Sequence, residues 1–243
     1  LVLADSDITV PPDWLSSAMA SLDEPGVGAV SCFYAGAGRH GWSQLGAMGI
    51  NYQFLPNAVL GAATGLAHPC FGSTIALRRR TLEEIGGFPA FRDRLADDFE
   101  IGRAVRRRGY RLAYPSILVS HRCAEQSFRE LWAHELRWAR TIRIVDPLGH
   151  WGSMLTHPLP WSLMAAALLG FSSAGLACVA TVVAARLFLK ARMDHIAGSA
   201  AGPAWLLPVR DLLSFAVFVA SLFGGTVEWK ARRLSVGRRG AIS

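Results

Sequence analysis

Between Trp161 and Ala185 the chain carries no charged side chain over 25 consecutive residues. At about 1.5 Å per residue, a helix of that length spans the ~30 Å hydrocarbon core of a bilayer. A core helix so long and so apolar all round would need a larger soluble domain than the rest of these 243 residues can form. The stretch GFSSAG, Gly170 to Gly175, offers a break that would turn it into two short passes. A second apolar segment runs from Ala204 to Val227. Arg210 and Asp211 interrupt it, and Leu212–Val227 leaves 16 uncharged residues beyond them. Asp211 is expected to pair with Arg210, to lie near the interface, or to be functional. Arg186, Lys190 and Arg192 follow the first segment, and Lys230, Arg232, Arg233, Arg238 and Arg239 follow the second. Positive residues prefer the cytoplasmic side. Both clusters on that side would require the first segment to be a hairpin or the second not to cross fully, and the sequence leaves this open.

Upstream the composition is mixed, which places a boundary near Asp146–Trp151. Three regions are expected: an N-terminal domain over 1–150, a membrane region over 151–229 with spans near 161–185 and 204–227, and a basic tail over 230–243. The net charge of +7 invites a nucleic-acid reading, but the apolar C-terminal half speaks against it. The four cysteines, Cys32, Cys70, Cys123 and Cys178, form no C-x-x-C pair, so buried free thiols are expected rather than a zinc site or disulfide framework. The seven histidines show no H-E-x-x-H spacing, and His121 with Cys123 has no second pair to complete a site. The first residue is Leu1, no signal-peptide pattern follows, and the chain reads as a fragment that begins in mid-strand.

The N-terminal region alternates strand and helix signals, which implies an α/β domain with a mixed sheet. Residues 13–23 read as a short helix, Val27–Tyr34 as one strand, Arg39–Leu60 as partly helical and Gly61–Pro69 as flexible. Ser73–Leu77 reads as a strand. Thr81 with Glu84 reads as a capping box that Gly86-Gly87 terminates. Asp97, Asp98 and Glu100 crowd a helix start, where their charge meets the positive dipole end, and Gly109 stops that helix. Tyr110–Val119 reads as a strand interrupted at Pro115. Ser127–Val145 reads as an amphipathic helix whose Trp and Arg residues suit a membrane–water interface or a phosphate-rich site.

The first residues, LVLADSD, place two carboxylates one residue apart. In an extended strand Asp5 and Asp7 would share one side, and their repulsion would call for a cation such as Mg²⁺ or Mn²⁺. The same tripeptide also suits a turn after a strand. Both readings stand on these residues alone.

Taken in order, the DSD, the G-S-T strand, ADDF, HELRW and the apolar tail resemble the membrane-bound inverting glycosyltransferases of GT-A fold that include cellulose, chitin and hyaluronan synthases. FGSTIALRRRTLEEIGGF, LADDFEIGRAVRRRGYRLAY and WLLPVRDLLSFAVFVASLFGGTVEWKARR narrow the resemblance to the ceramide glucosyltransferase-like family, with its bacterial hopanoid-biosynthesis relative. The resemblance implies part of a GT-A domain followed by transmembrane helices. It implies a nucleotide-sugar donor of the UDP-sugar class, a lipid acceptor, ceramide-like or hopanoid, and a Mg²⁺ or Mn²⁺ cofactor at Asp5 and Asp7. Asp98 would be the general base, with Asp97 raising its pKa. Arg137 and Trp138 would meet the diphosphate and acceptor. His134 stands where the family has Gln or Arg, and Gly72 and Ser73 would line the acceptor site. Helix capping by Asp97 and Asp98, a snorkelling interfacial helix at Arg137 and Trp138, and a plain strand entry at Gly72 and Ser73 are the structural alternatives. The basic runs Arg78–Arg80 and Arg106–Arg108 are solvated faces near anionic headgroups. A bacterial inner-membrane location with the catalytic part on the cytoplasmic face is expected. A processive polysaccharide synthase and a non-catalytic membrane-anchored relative are the competing readings.

Overall fold

The computed structural model describes residues 1–224, together with the backbone of residues 226–229 and 232–235. The chain divides into two compact units. The first comprises Leu1–Ala35, Ala58–Arg122 and Gly225–Ser243, and the second Gly36–Asn57 and Cys123–Gly224.

The first unit is built on a mixed sheet. Strands β1 (Val2–Ala4), β3 (Val27–Ser31), β5 (Thr74–Leu77) and β6 (Arg111–Ala113) lie in the order β1-β5-β3-β6. β5 runs antiparallel to both β1 and β3, while β3 and β6 are parallel. All five residues of β3 and all four of β5 are buried, as expected of central strands covered on both faces. Helix α1 (Trp14–Leu22) buries Trp14, Ala18 and Leu22, a four-residue spacing that forms one helical stripe. A cluster of Ala29, Ile75, Leu77, Leu82, Ile101 and Val105 forms the core beneath. It joins the sheet to α4 (Arg79–Glu84) and α5 (Asp97–Arg107).

A second, three-stranded sheet has the order β2-β7-β4, from β2 (Ile8–Thr9), β7 (Leu118–Arg122) and β4 (Phe33–Ala37). The stretch read from sequence as one strand, Val27–Tyr34, is therefore two. Cys32 separates them, and they belong to different sheets. Gly109, at φ +85°, closes α5 as expected. Thr81 does not cap α4. The helix begins two residues earlier, Thr81 is buried inside it, and Glu84 is engaged by Arg80 Nε at 2.8 Å and by the Tyr110 hydroxyl at 2.8 Å.

Gly102 lets α5 seat closely. A Cβ there would lie 2.4 Å from Cys70 Cβ and 3.4 Å from Leu112 Cδ1. Gly102→Ala is expected to overpack this contact and destabilise the unit by about 1–3 kcal/mol, read as a lower denaturant midpoint.

The second unit is helical. α2 (Gly41–Gly49) runs into a π-helical turn at Ile50–Phe54, and α3 (Leu55–Ala63) continues the chain. The segment Gly61–Pro69 is therefore helical as far as Ala63. Within the π turn the Asn51 side chain clamps Gly36, accepting from its N–H at 2.6 Å and donating to its carbonyl at 3.3 Å. Downstream lie α6 (Phe128–Val145), capped by the Ser127 hydroxyl, then α7 (Pro147–Gly152), α8 (Pro158–Leu168), α9 (Ser173–Ala197) and α10 (Leu207–Ser221).

The uncharged stretch 161–185 is not one helix. It breaks at Gly170 and Phe171, whose φ values are +60° and +53°. The Phe171 N–H bonds to the Ala166 carbonyl and the Gly170 N–H to the Ala167 carbonyl, a Schellman ending. The helix that follows is not a short pass either. α9 carries on through Arg186 and Lys190 to Ala197, and two segments, Ser173–Ala197 and Ala204–Ser221, are long and apolar enough to cross a membrane. The second stops at Ser221 rather than Val227. Val227 pairs with Leu234 in a hairpin of β8 (Thr226–Trp229) and β9 (Arg232–Ser235). Apart from that hairpin, the basic tail expected at 230–243 lies outside the described residues.

Two of the basic residues that follow the first apolar segment are not solvated. Arg186 and Lys190 are both buried. Arg186 makes a bidentate pair with Asp211, with Nε–Oδ2 at 2.8 Å and Nη2–Oδ1 at 2.5 Å, and its Nη1 donates to the Tyr52 carbonyl at 2.9 Å. Lys190 pairs with Asp194, which also accepts from the Tyr52 hydroxyl at 2.6 Å. Asp211 is thus the partner of Arg186, not of Arg210. Cys32, Cys70 and Cys123 are buried free thiols as expected, whereas Cys178 is exposed on α9.

Candidate active site

In the first unit β1 ends at Ala4, and Asp5 to Ile8 form a turn closed by the Ile8 N–H on the Asp5 carbonyl at 3.3 Å. The D-S-D is therefore not extended, and its two carboxylates do not stand side by side on one strand face. Asp7 turns toward β7, where its Oδ2 lies 3.4 Å from Nε2 of the buried His121. The Arg122 N–H donates to the Asp7 carbonyl at 2.8 Å and fixes the turn from the same strand.

The Asp5 carboxylate lies at the entry to β5. A Cβ on Gly72 would lie 3.1 Å from Asp5 Oδ2 and 3.4 Å from Asp98 Oδ2. Two carboxylates thus converge on a residue with no side chain. The Gly72 N–H donates to Asp98 Oδ2 at 2.8 Å, and the Phe99 N–H, in the first turn of α5, donates to Asp98 Oδ1 at 2.7 Å. The buried Ser31 hydroxyl, at the end of β3, holds the loop by accepting from the Phe71 N–H at 2.9 Å. Ser73 is buried, and its hydroxyl donates to the Cys32 carbonyl at 3.3 Å. Of the two residues expected at the acceptor site, Gly72 meets the carboxylates and Ser73 points into the protein.

Burial of its carboxyl is the main reason that Asp98 is pushed up to about 6. The two backbone N–H groups oppose the shift, and the charges of Asp97 and Asp5 add to it. Asp97 therefore contributes as expected, but it ranks behind burial. It sits exposed at the helix start, where its Oδ1 accepts from the Asp98 N–H at 3.0 Å. Asp5 is raised by partial burial and by the repulsion of Asp7 and Asp97. Near neutral pH this places a largely ionised, readily protonated Asp98 beside the carboxylates of Asp97 and Asp5. Among the described residues no group of three or more His, Cys, Asp and Glu is placed to hold a metal ion. Asp5 and Asp7 offer two hard oxygen donors of the kind that suit Mg²⁺ or Mn²⁺ when phosphate oxygens and water complete the shell.

If Asp98 acts as a base, kcat/KM falls as pH drops through about 6, because only the ionised carboxyl accepts a proton. Asp97→Asn removes a charge that favours the neutral form, so the acidic limb is expected to move to lower pH, by well under one unit because burial leads the shift. A pH–rate profile of both proteins checks this. The same raised pKa contributes stability below the usual 3.8, and that contribution is lost as pH rises through about 6.

The remaining expected residues lie on α6 in the second unit. His134 and Trp138, one turn apart, meet edge to face with ring centroids 4.3 Å apart. His134 Nδ1 is 2.6 Å from Oε1 of Glu125, a buried carboxylate set against Gly46 of α2. Burial lowers the pKa of Arg137 from that of a free guanidinium. Sequence reasoning missed Glu125 and Glu135, and weighed His121 only as a metal ligand with Cys123. Each is recognisable only through a partner distant in the chain, though Glu125 does stand just ahead of the Ser127 helix start.

The family model of glycosyl transferase family 21 matches residues 1–242. No curated protein matches the chain.

Proposed function

Because the chain belongs to glycosyl transferase family 21, and so is a glycosyltransferase, we propose that it is a membrane-bound inverting enzyme of GT-A type. It moves a sugar from a nucleotide diphosphate donor, a UDP-sugar, to the hydroxyl of a ceramide-like or hopanoid lipid. The observation that carries this reading is the Asp98 carboxyl, raised to about 6 and aimed by the Gly72 and Phe99 amides beside Asp5. A general base works best when its pKa lies near the working pH. Asp98 takes the proton from the acceptor hydroxyl as that oxygen bonds to the anomeric carbon. The bond to the diphosphate breaks on the opposite face, so the single displacement inverts the centre. Gly72 leaves room for the reacting groups next to both carboxylates. Asp5 and Asp7 would hold Mg²⁺ or Mn²⁺, which when bound neutralises charge on the diphosphate. Arg137 suits a phosphate through paired N–H donors, and Trp138 offers a flat wall to a sugar or lipid.

Two helices of membrane-crossing length support the lipid acceptor and the membrane location. The tip between α8 and α9 adds to this support by exposing Leu168, Leu169 and Phe171. A bacterial inner membrane with the catalytic part on the cytoplasmic face is the proposed location.

The test is transfer of label from UDP-glucose or UDP-N-acetylglucosamine into a lipid extract by the full-length gene product in detergent or nanodiscs. Label in the lipid fraction is expected, lost on chelation and restored by Mn²⁺. Failure of the folded protein to transfer from any nucleotide sugar would overturn the reading. Transfer that survives chelation would remove Asp5 and Asp7 from the metal role.

A further inference from the structure

Arg210 occupies the first turn of α10, a position where the helix dipole disfavours a positive charge. It is also 3% exposed. Its own helix does not account for it, but its contacts do. Nη1 and Nη2 each lie 2.7 Å from one oxygen of Glu135 on α6, a bidentate pair. Nη1 also donates to the Leu45 carbonyl of α2 at 3.3 Å, and Nη2 to the Ser214 hydroxyl at 2.9 Å. The guanidinium lies flush against Gly49, where a Cβ would stand 2.9 Å from Cζ. One side chain thus ties three helices, and a glycine makes the room for it.

What it ties is the helix that carries His134, Arg137 and Trp138. Glu135 and Trp138 are three residues apart and share a face, while Arg137, two residues on, points about 200° round the helix. Fixing Glu135 therefore fixes the rotation at which Arg137 and Trp138 are presented. A second attachment sets the slide. Arg140 Nη2 donates to the Phe223 carbonyl at 3.0 Å, and Arg143 to the Leu222 and Gly224 carbonyls at 3.1 and 2.5 Å, at the carbonyl-rich end of α10.

We propose that Arg210 is a positioning residue for sugar transfer: through Glu135 it sets the rotation of α6 and so the placement of Arg137 and Trp138. This rests on the reading that those two residues meet donor and acceptor. Partners that orient a site without touching substrate typically change activity by about 10–100-fold, because small misplacements are costly.

The test compares Arg210→Lys, Glu135→Gln and Gly49→Ala with the parent enzyme in nanodiscs. Lysine keeps the charge but cannot pair through two N–H groups. Gly49→Ala displaces the guanidinium without removing any charge. Asp211→Asn, which weakens a buried pair not on α6, controls for general loss of stability. Folded fraction, kcat and KM for the nucleotide sugar are measured for each. The three variants are expected to lose about 10–100-fold in kcat/KM per folded molecule, mainly through KM. Asp211→Asn is expected to lower the melting temperature and to leave kcat/KM per folded molecule within about two-fold. Arg210→Lys combined with Arg137→Ala should lose less than the product of the two single losses. Losses that only track the folded fraction, or losses additive with Arg137→Ala, would overturn the proposal while leaving the transferase reading intact. Full activity of both Arg137→Ala and Trp138→Ala would overturn the role of α6 in transfer, and the positioning proposal with it.

Discussion

Asp98→Asn is expected to lower kcat about 1,000-fold, within the range of general-base catalysis, with KM for the nucleotide sugar little changed. The substitution is close to isosteric. An asparagine oxygen can still accept from either the Gly72 or the Phe99 N–H, which bind the two carboxylate oxygens at 2.8 and 2.7 Å. What is lost is the ability to take a proton. At neutral pH the folded state no longer holds a carboxylate whose ionised form is disfavoured by burial, so the melting temperature should hold or rise, the one amide left without its acceptor offsetting part of the gain. Single-turnover transfer of labelled sugar, with donor binding measured separately, separates the two effects. Loss of donor affinity without loss of the chemical step would reassign Asp98 to binding.

Asp211→Ala should give the largest loss of stability in the second unit. It strands the Arg186 guanidinium, whose side chain is 9% exposed, with only the Tyr52 carbonyl left from its buried contacts. Breaking one side of a buried ion pair costs about 3–5 kcal/mol, because the survivor remains charged and desolvated. Replacing both partners with apolar residues of similar volume, Arg186→Met with Asp211→Leu, is expected to recover most of that loss. Denaturant or thermal unfolding in nanodiscs reads both variants. A loss under about 1 kcal/mol for Asp211→Ala would mean that water reaches the pair.

The physical range of each interaction set what could be read in advance. Gly109 and the acidic start of α5 were legible because a left-handed glycine and a helix dipole act within one turn of chain. The amphipathic helix Phe128–Val145 and its Ser127 cap were legible for the same reason. The partner of Asp211 was not. Arg210 is its neighbour in sequence, but adjacent residues of a helix point about 100° apart, so Arg210 reaches α6 and Asp211 reaches α9. The D-S-D suited a strand end and a turn equally, and the ladder that decides between them comes from His121, more than a hundred residues downstream. Gly72 was marked from its motif. Its reason, the convergence of Asp5 and Asp98 on the space beside its Cα, depends on three separate pieces of chain meeting. Thr81 failed as a cap because the apolar pull of Leu82 and Ile85 toward the core starts the helix a half-turn sooner, at Arg79.

The turn between α8 and α9 bears on how the chain enters a bilayer. Hydrocarbon offers no water to an open peptide group, and each one left bare costs several kcal/mol. In this turn the N–H groups of Leu169, Gly170, Phe171 and Ser172 all bond backward to carbonyls of Ala165, Ala167, Ala166 and Leu169. The hairpin tip therefore arrives with its donors already closed and its Leu168, Leu169 and Phe171 side chains outward. Those four N–H groups need no water when the tip meets lipid.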